Sequence, residues 1–280
     1  MKINKIHISL FLLISIFNLL IAQNSIKEFK AKDNLFLVGD RVFSLYYISS
    51  EGVIVIDPIN DDIAKETFKS IRSKTNLPIK YVIYSHNHWD HNGGGKIYKN
   101  QGAKFIIHED AFNNLNENKN VIPPDSIWRG EQTKISLGDK TIELYYFGKN
   151  HGNGMTVFRF PEYRAIFTVD LVVPDRVLYA YLPDSKPKNW LNDLYKIKAL
   201  DFDDLYMAHV RPIGNRKDLN IQISYFEDLY KATEKAMNDG TPFFDIPTKV
   251  KLPQYQNLLF YNEWLHMNVW RILMEKSIGQ

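Results

Sequence analysis

The sequence predicts an α/β protein in which stacked sheets are covered by helices. Three observations carry that prediction. Short apolar runs of strand length recur in both halves of the chain, helical patterns fall between them, and beyond Pro212 the pattern turns mostly helical. No repeat of fixed period and no Ser/Gly-rich linker divides the 280 residues. Residues 23–280 therefore read as one domain, with 216–280 its mostly helical C-terminal part.

Residues 1–22 stand apart. Lys2 and Lys5 precede an apolar run from Ile8 to Ile21, broken only by Ser9, Ser15 and Asn18, and Ala22 offers a small residue for cleavage. That run is shorter than a membrane span and carries the flanks of a signal peptide. The expectation is a cleaved signal, a periplasmic or secreted mature chain, and contact with a membrane only through this segment.

The elements follow in order. Strands are expected over residues 35–38, 42–49 and 52–56, the last two joined by a hairpin turn at Ser50, Glu51 and Gly52. Ile63, Phe68 and Ile71 give residues 61–75 helical spacing, with Asp61 or Asp62 as cap and Pro78 as stop. Residues 81–84 read as a buried strand, Gly93 to Gly95 as the opening of another helix, and 104–107 as a further strand. The second half resumes with strands at 133–137, 141–147, 155–160 and 164–168, a helix at 189–199 and a short strand at 205–207. Helices over 221–238 and 255–276 complete the pattern. The last is apolar on more than one face, from Leu258 through Trp264 to Trp270 and Leu273. Packing on the sheets, a homodimer contact and a pocket lid are its three readings.

Composition narrows the chemistry. There is no cysteine, so thiolate nucleophiles, thiolate metal ligands and disulfides are excluded. Lys and Arg number 35 against 32 Asp and Glu, a net charge of +3, and removing Lys2 and Lys5 leaves the mature chain at +1. With no long basic run, nucleic acid is not an expected partner and a small molecule is.

The stretch that carries chemistry is Ser85-His86-Asn87-His88-Trp89-Asp90-His91-Asn92-Gly93-Gly94. It follows a buried-looking strand and precedes a glycine run. Imidazole and carboxylate side chains at this density suit zinc and related metals. On a loop after a strand, His86 and His88 can converge on one metal while Asp90 and His91 point to a second. Gly93 to Gly95 would let the backbone pass close by. Further candidates sit at strand ends or between strands: His151 in the polar run from Gly148 to Gly154, Asp170 after 165–169, and His209 after 205–207. His108 reads as a helix-start residue and His266 as a packing residue of the aromatic helix. The segment from Pro174 to Tyr181 is either a connecting surface loop or a pocket wall with aromatic surface and one cation.

The H-x-H-x-D-H pattern, followed in order by a lone histidine, an aspartate after a strand and a final histidine, resembles the signature of the metallo-β-lactamase superfamily over nearly the whole mature chain. The resemblance implies an αββα sandwich with a C-terminal helical extension. It implies a first metal held by His86, His88 and His151, a second held by Asp90, His91 and His209, and Asp170 bridging them. Asp57 matches a position that supports the metal loop without binding metal. Two departures stand out: the family often has Gly-Asp at the bridging position where this chain has Val169-Asp170, and commonly Gly-His-Gly at the last histidine where this chain has Ala208-His209-Val210.

The resulting expectation is a dinuclear zinc hydrolase, with two Zn2+ per chain. A metal-bound hydroxide would act on a small ester, lactone or amide, and Asp90 would orient it and move a proton. The alternatives are a β-lactamase of the His-rich subclass and a mononuclear iron oxidoreductase resembling persulfide dioxygenases, which would use His86, His151 and Asp170.

Overall fold

Short apolar runs whose successive side chains point to opposite faces build the centre of the first sheet. In the computed structural model, which describes residues 25–115 and 120–279, this sheet has seven strands in the order β1 to β7. They are β1 (Lys27–Lys32), β2 (Leu35–Gly39), β3 (Phe43–Ile48), β4 (Val53–Ile56), β5 (Ile79–Ile83), β6 (Lys104–His108) and β7 (Ser126–Trp128). The expected signal segment lies outside the described residues. Pairing is antiparallel from β1 to β4 and parallel from β4 to β7. Leu35, Leu37, Leu45, Tyr47, Ile54 and Ile56 face the second sheet. Their neighbours Phe36, Val38, Tyr46, Val53 and Val55 face a separate cluster beneath a helix. β4 is therefore buried on both faces, which explains its unbroken apolar run.

The second sheet has the order β13-β12-β11-β10-β9-β8. Its strands are β8 (Gln132–Leu137), β9 (Lys140–Tyr146), β10 (Thr156–Phe160), β11 (Ala165–Phe167), β12 (Asp204–Tyr206) and β13 (Ile213–Asn215). β11 and β12 are parallel, so a crossover must join them, and a helix supplies it.

Helices cover both outer faces. α1 (Asp61–Lys74) lies on the first sheet through Ala64 and Ile71. Four short turns follow or are interspersed: α2 (Trp89–Asn92), α3 (Lys96–Lys99), α4 (Glu109–Phe112) and, later, α7 (Ile246–Lys249). α5 (Pro187–Ala199), α6 (Arg216–Asn238) and α8 (Tyr261–Ile278) send Leu194, Ile197, Phe226, Leu229, Val269 and Ile272 into the central core. The layering is αββα, with α8 packed on the second sheet's side.

Several local readings shift. Asn60, not Asp61 or Asp62, caps α1, accepting from the amides of Asp62 and Ile63 at 3.1 and 3.0 Å. α1 ends at Lys74, ahead of Pro78, with Thr75 as its C-cap. The helix expected at the glycine run is two turns, α2 and α3, on either side of it. α6 begins five residues before 221, where Asn215 and Asp218 form a capping box. Three strands escape the apolar pattern. β1 is an edge strand of mostly charged sequence, and β7 and β13 are three residues each.

Candidate metal centre

The strand ends of both sheets meet at one rim, and the chemistry gathers there. The chain leaving β4 carries Asp57, that leaving β5 carries Ser85 and His86, and that leaving β11 carries Asp170. His209 follows β12, and His151 lies on the loop between β9 and β10. His86, His88, His151 and Asp170 form one group whose donor atoms lie within 4.8 Å of one another, and Asp90, His91 and His209 form another. Every residue expected at the site is thus brought to it.

Asp170 is the common point. Its Oδ2 lies 3.6 Å from His86 Nε2, 3.3 Å from His91 Nε2 and 3.2 Å from His151 Nε2. Its Oδ1 lies 3.0 Å from His209 Nε2. Yet His86 Nε2, both ring nitrogens of His151 and Asp170 Oδ1 are buried without a properly oriented hydrogen-bond partner. Leaving so many buried polar atoms unsatisfied is costly. Donors converging on shared space rather than on each other fit a metal cation, and this imidazole and carboxylate set suits zinc.

Charge follows the same logic. Burial disfavours a charged Asp170, but His91 and His209 outweigh it and hold the carboxyl well below the usual carboxylate range. Burial, reinforced by His88 and His91, keeps His86 neutral well below the ordinary imidazole range. Burial also opposes a proton on His91, but Asp170 and Asp57 outweigh it and raise its basicity well above that range.

The ends of β4 and β5 hold their ligands through one hydrogen-bond network. Ser85 Oγ lies 2.8 Å from His86 Nδ1 and donates to Asp57 Oδ2 at 2.6 Å. Asp57 also accepts from the Ser85 amide at 2.7 Å and sits 3.1 Å from His91 Nδ1. With both oxygens engaged, Asp57 orients His91 and leaves its Nε2 free to face Asp170. Asn92 donates to the His86 carbonyl at 2.9 Å. The glycine run has a more specific purpose than approach to the site. Gly94 adopts φ +70°, and a Cβ there would lie 2.3 Å from the Asn60 carbonyl oxygen. It lets the motif close against the segment that follows Asp57, where Ile59 donates to the His91 carbonyl at 2.9 Å. Gly152 serves likewise: a Cβ there would lie 2.9 Å from His88 Nε2.

Each of the two departures puts a valine on strained backbone. Val169 has φ +52° and Val210 φ +67°, a left-handed region where β-branched residues are outliers. Each such residue costs about 1–3 kcal/mol and persists where the surroundings over-determine it. Here the Val169 carbonyl accepts from Ala208 at 3.1 Å and Val210 donates to the Arg41 carbonyl at 3.2 Å. The pairings clamp the loops bearing Asp170 and His209.

Sequence reasoning missed Asp184. Its Oδ2 lies 2.6 Å from His88 Nε2, which fixes that ring and leaves Nδ1 for ligation. Nothing in its local run of sequence marks it. Asn150 is also new to the picture: its Oδ1 accepts from the His151 amide at 2.5 Å while its amide group donates to buried Asp193 at 2.8 Å. His108 lies apart, capping α4 through Nδ1 and packed against Tyr146. His266 lies on α8, outside both donor groups. The Pro174 to Tyr181 segment is a pocket wall: Arg176, Leu178 and Tyr179 line a cleft of about 350 Å³ whose floor includes Asp90, Asp170 and His209.

Residues 38–209, more than half of the chain, match the family model of the metallo-β-lactamase superfamily. The chain belongs to this superfamily. The α subunit of 2,4-dinitroanisole O-demethylase from Nocardioides sp. (strain JS1661) is 25% identical over 191 residues, 66% of this chain and 58% of that protein. The solved structure of a stereoselective inverting sec-alkylsulfatase from Pseudomonas sp. superposes with TM-score 0.76 at 17% identity, covering 91% of this chain and 50% of that one. A metallo-β-lactamase from Pontibacter korlensis superposes with TM-score 0.65 at 19% identity, covering 72% of this chain and 99% of that one. The chain therefore spans only about half the length of some of the larger members it matches. These structural likenesses show the αββα fold. The alkylsulfatase match also reaches past the family-matched residues into the helical C-terminal part. The superfamily binds metal ions, and this member carries the His/Asp clusters to do so.

Proposed function

We propose that this protein is a dinuclear metal-dependent hydrolase, with zinc as its metal, acting on a small ester, lactone or amide. The observation that carries the reading is the meeting of two donor groups at one buried carboxylate, Asp170, with ligand atoms left unsatisfied around it. His86, His88 and His151 would hold one cation and Asp90, His91 and His209 the other, with Asp170 shared between them. Bound there, the cations would supply Lewis acidity and lower the pKa of a water toward about 7.

The chain's own residues account for the rest. Asp90 is half-buried on the cleft floor, 3.9 Å from His91 Nε2, with its carboxylate open to the cleft. It would orient the attacking water, accept its proton and pass that proton to the leaving group. Ser85, Asp57 and Asp184 hold three imidazoles in the orientation that ligation needs. Leu178, Leu182 and Trp190 form an apolar wall that excludes bulk water and strengthens electrostatics at the floor. We further propose that residues 1–22 are cleaved and that the mature chain acts in the periplasm or outside the cell.

Elemental analysis of chain purified without chelator, followed by an ester, lactone, amide and β-lactam panel, tests the reading. About two zinc per chain with turnover on the panel is the expected result. One iron per chain with oxygen-dependent turnover would replace it with the dioxygenase-like alternative.

A further inference from the structure

Arg176 stands out among the arginines. Arg159, Arg164 and Arg211 are ion-paired to aspartates or glutamates, and Arg216 is satisfied by three carbonyls. The carboxylate next in sequence, Asp175, is taken by Arg211 at 2.6 Å. Arg176 makes no ion pair or hydrogen bond with any described residue, and its Nε is buried. Its guanidinium lies over the face of Trp264, 5.5 Å from the ring centroid, and feels the Asp170 carboxylate only through space.

The side chain is nevertheless held in place. The backbone bridges to Leu259, with Leu259 donating to the Asp175 carbonyl at 2.8 Å and Val177 to the Leu259 carbonyl at 3.2 Å. Asn268 of α8 donates to the carbonyls of Leu178 and Ala180 at 3.0 and 2.7 Å. A guanidinium fixed in an apolar wall without a paired carboxylate is costly unless something anionic completes it. None of the cleft's own carboxylates pairs with it: Asp170 and Asp184 are engaged by histidines, and Asp90 lies 3.9 Å from His91 Nε2. Around Arg176 the wall is Val173, Leu178, Tyr179 and Leu182.

We propose that Arg176 is the anion-recognition residue of this cleft, so that the substrate carries a carboxylate or sulfate group beside an apolar or aromatic body. The inference rests on the hydrolase reading for the word substrate, but the binding it describes does not need the metal. The guanidinium fork takes such an oxyanion bidentately, and the apolar wall takes the rest.

Calorimetry with three probes tests it: 4-phenylbutyrate, 4-phenylbutyl sulfate and the neutral 4-phenylbutanamide. Each is titrated into the full chain as purified and into the same chain after chelator treatment. At least one anion should bind about 10-fold or more tighter than the amide, a difference of about 1.4 kcal/mol. The better anion of the two identifies the group. Arg176→Met should abolish that preference while leaving amide affinity unchanged, and Arg176→Lys should keep part of it. Persistence of the preference after chelation assigns it to Arg176 even if the hydrolase reading fails. Equal binding of acid and amide, binding of none of the probes, or a preference that Arg176→Met retains would overturn the proposal. A preference kept by Arg176→Met but lost on chelation would seat the anion on the metal instead. Circular dichroism of both variants separates these outcomes from misfolding.

Discussion

Around His86, His88 and His151, each ring has a neighbour outside the group that fixes it. Ser85 meets His86 Nδ1, Asp184 meets His88 Nε2, and His151 packs on Trp190 with ring centroids 4.8 Å apart. Around Asp90, His91 and His209 only His91 has such a partner, Asp57. Among the described residues, neither Asp90 nor His209 has a side-chain hydrogen bond to a group outside the centre. The backbone differs too, though along another division, between the loop that serves both groups and the loops that bear Asp170 and His209. The His86 to His91 motif lies on a loop relaxed by glycines, whereas the loops bearing Asp170 and His209 run through strained valines. The contrast teaches that one ligand set is organised before anything binds and the other is completed by what binds. Preorganised ligands hold metal more tightly, because less ordering remains to be done at binding.

The largest effect should come from the residue common to both halves. Asp170→Asn removes the shared carboxylate, and metal content should fall at both positions. The loss of affinity should exceed the ~10–100-fold typical of removing an outer partner. Retention of one full equivalent would show that one half stands without Asp170.

The next effect separates the halves. Stepwise chelation with elemental analysis at each step should remove one equivalent well before the second. Asp57→Asn, which loosens His91, should cost about 10–100-fold at the weaker position and leave the stronger one near its parent value. Asp184→Asn, which frees His88, should do the reverse. Loss of both equivalents together in either variant would break the comparison.

The smallest effect concerns strain. Val210 is only half-buried, so Val210→Gly should relieve its left-handed backbone at little cost in packing. Greater freedom of glycine in the unfolded chain offsets that gain, leaving stability within about 1 kcal/mol of the parent. Val169 is fully buried, and Val169→Gly should lose about 1.5–3 kcal/mol of side-chain burial against the same relief. Thermal unfolding of the pair checks the order. A Val210→Gly protein much less stable than Val169→Gly would mean that contacts of Val210, not backbone conformation, hold the His209 loop.

Much of this was legible before any fold was in view. The motif's ligands lie within six residues on one loop, so spacing alone announces them. His151, Asp170 and His209 lie at or near strand ends, and apolar runs locate strand ends. β2 to β6 and α1 were readable because buried strands and an amphipathic helix leave strong periodic signals. β1 was not, because an edge strand buries little and its pairing with β2 supplies what its side chains do not.

What the sequence determined by itself is the ligand chemistry: imidazoles and carboxylates, no thiolate, in an order that places them on one rim. What only the tertiary structure decided is who supports whom. Asp184 reaches His88 across 96 positions, Asp57 reaches His91 across 34, and Arg211, 36 positions from Asp175, takes the acid next in sequence to the unpaired Arg176. Local spacing encodes which side chains can converge within a loop. Contacts between distant segments exist only once both sheets and their helices have packed, since burial and chain crossing set those distances and no periodicity records them.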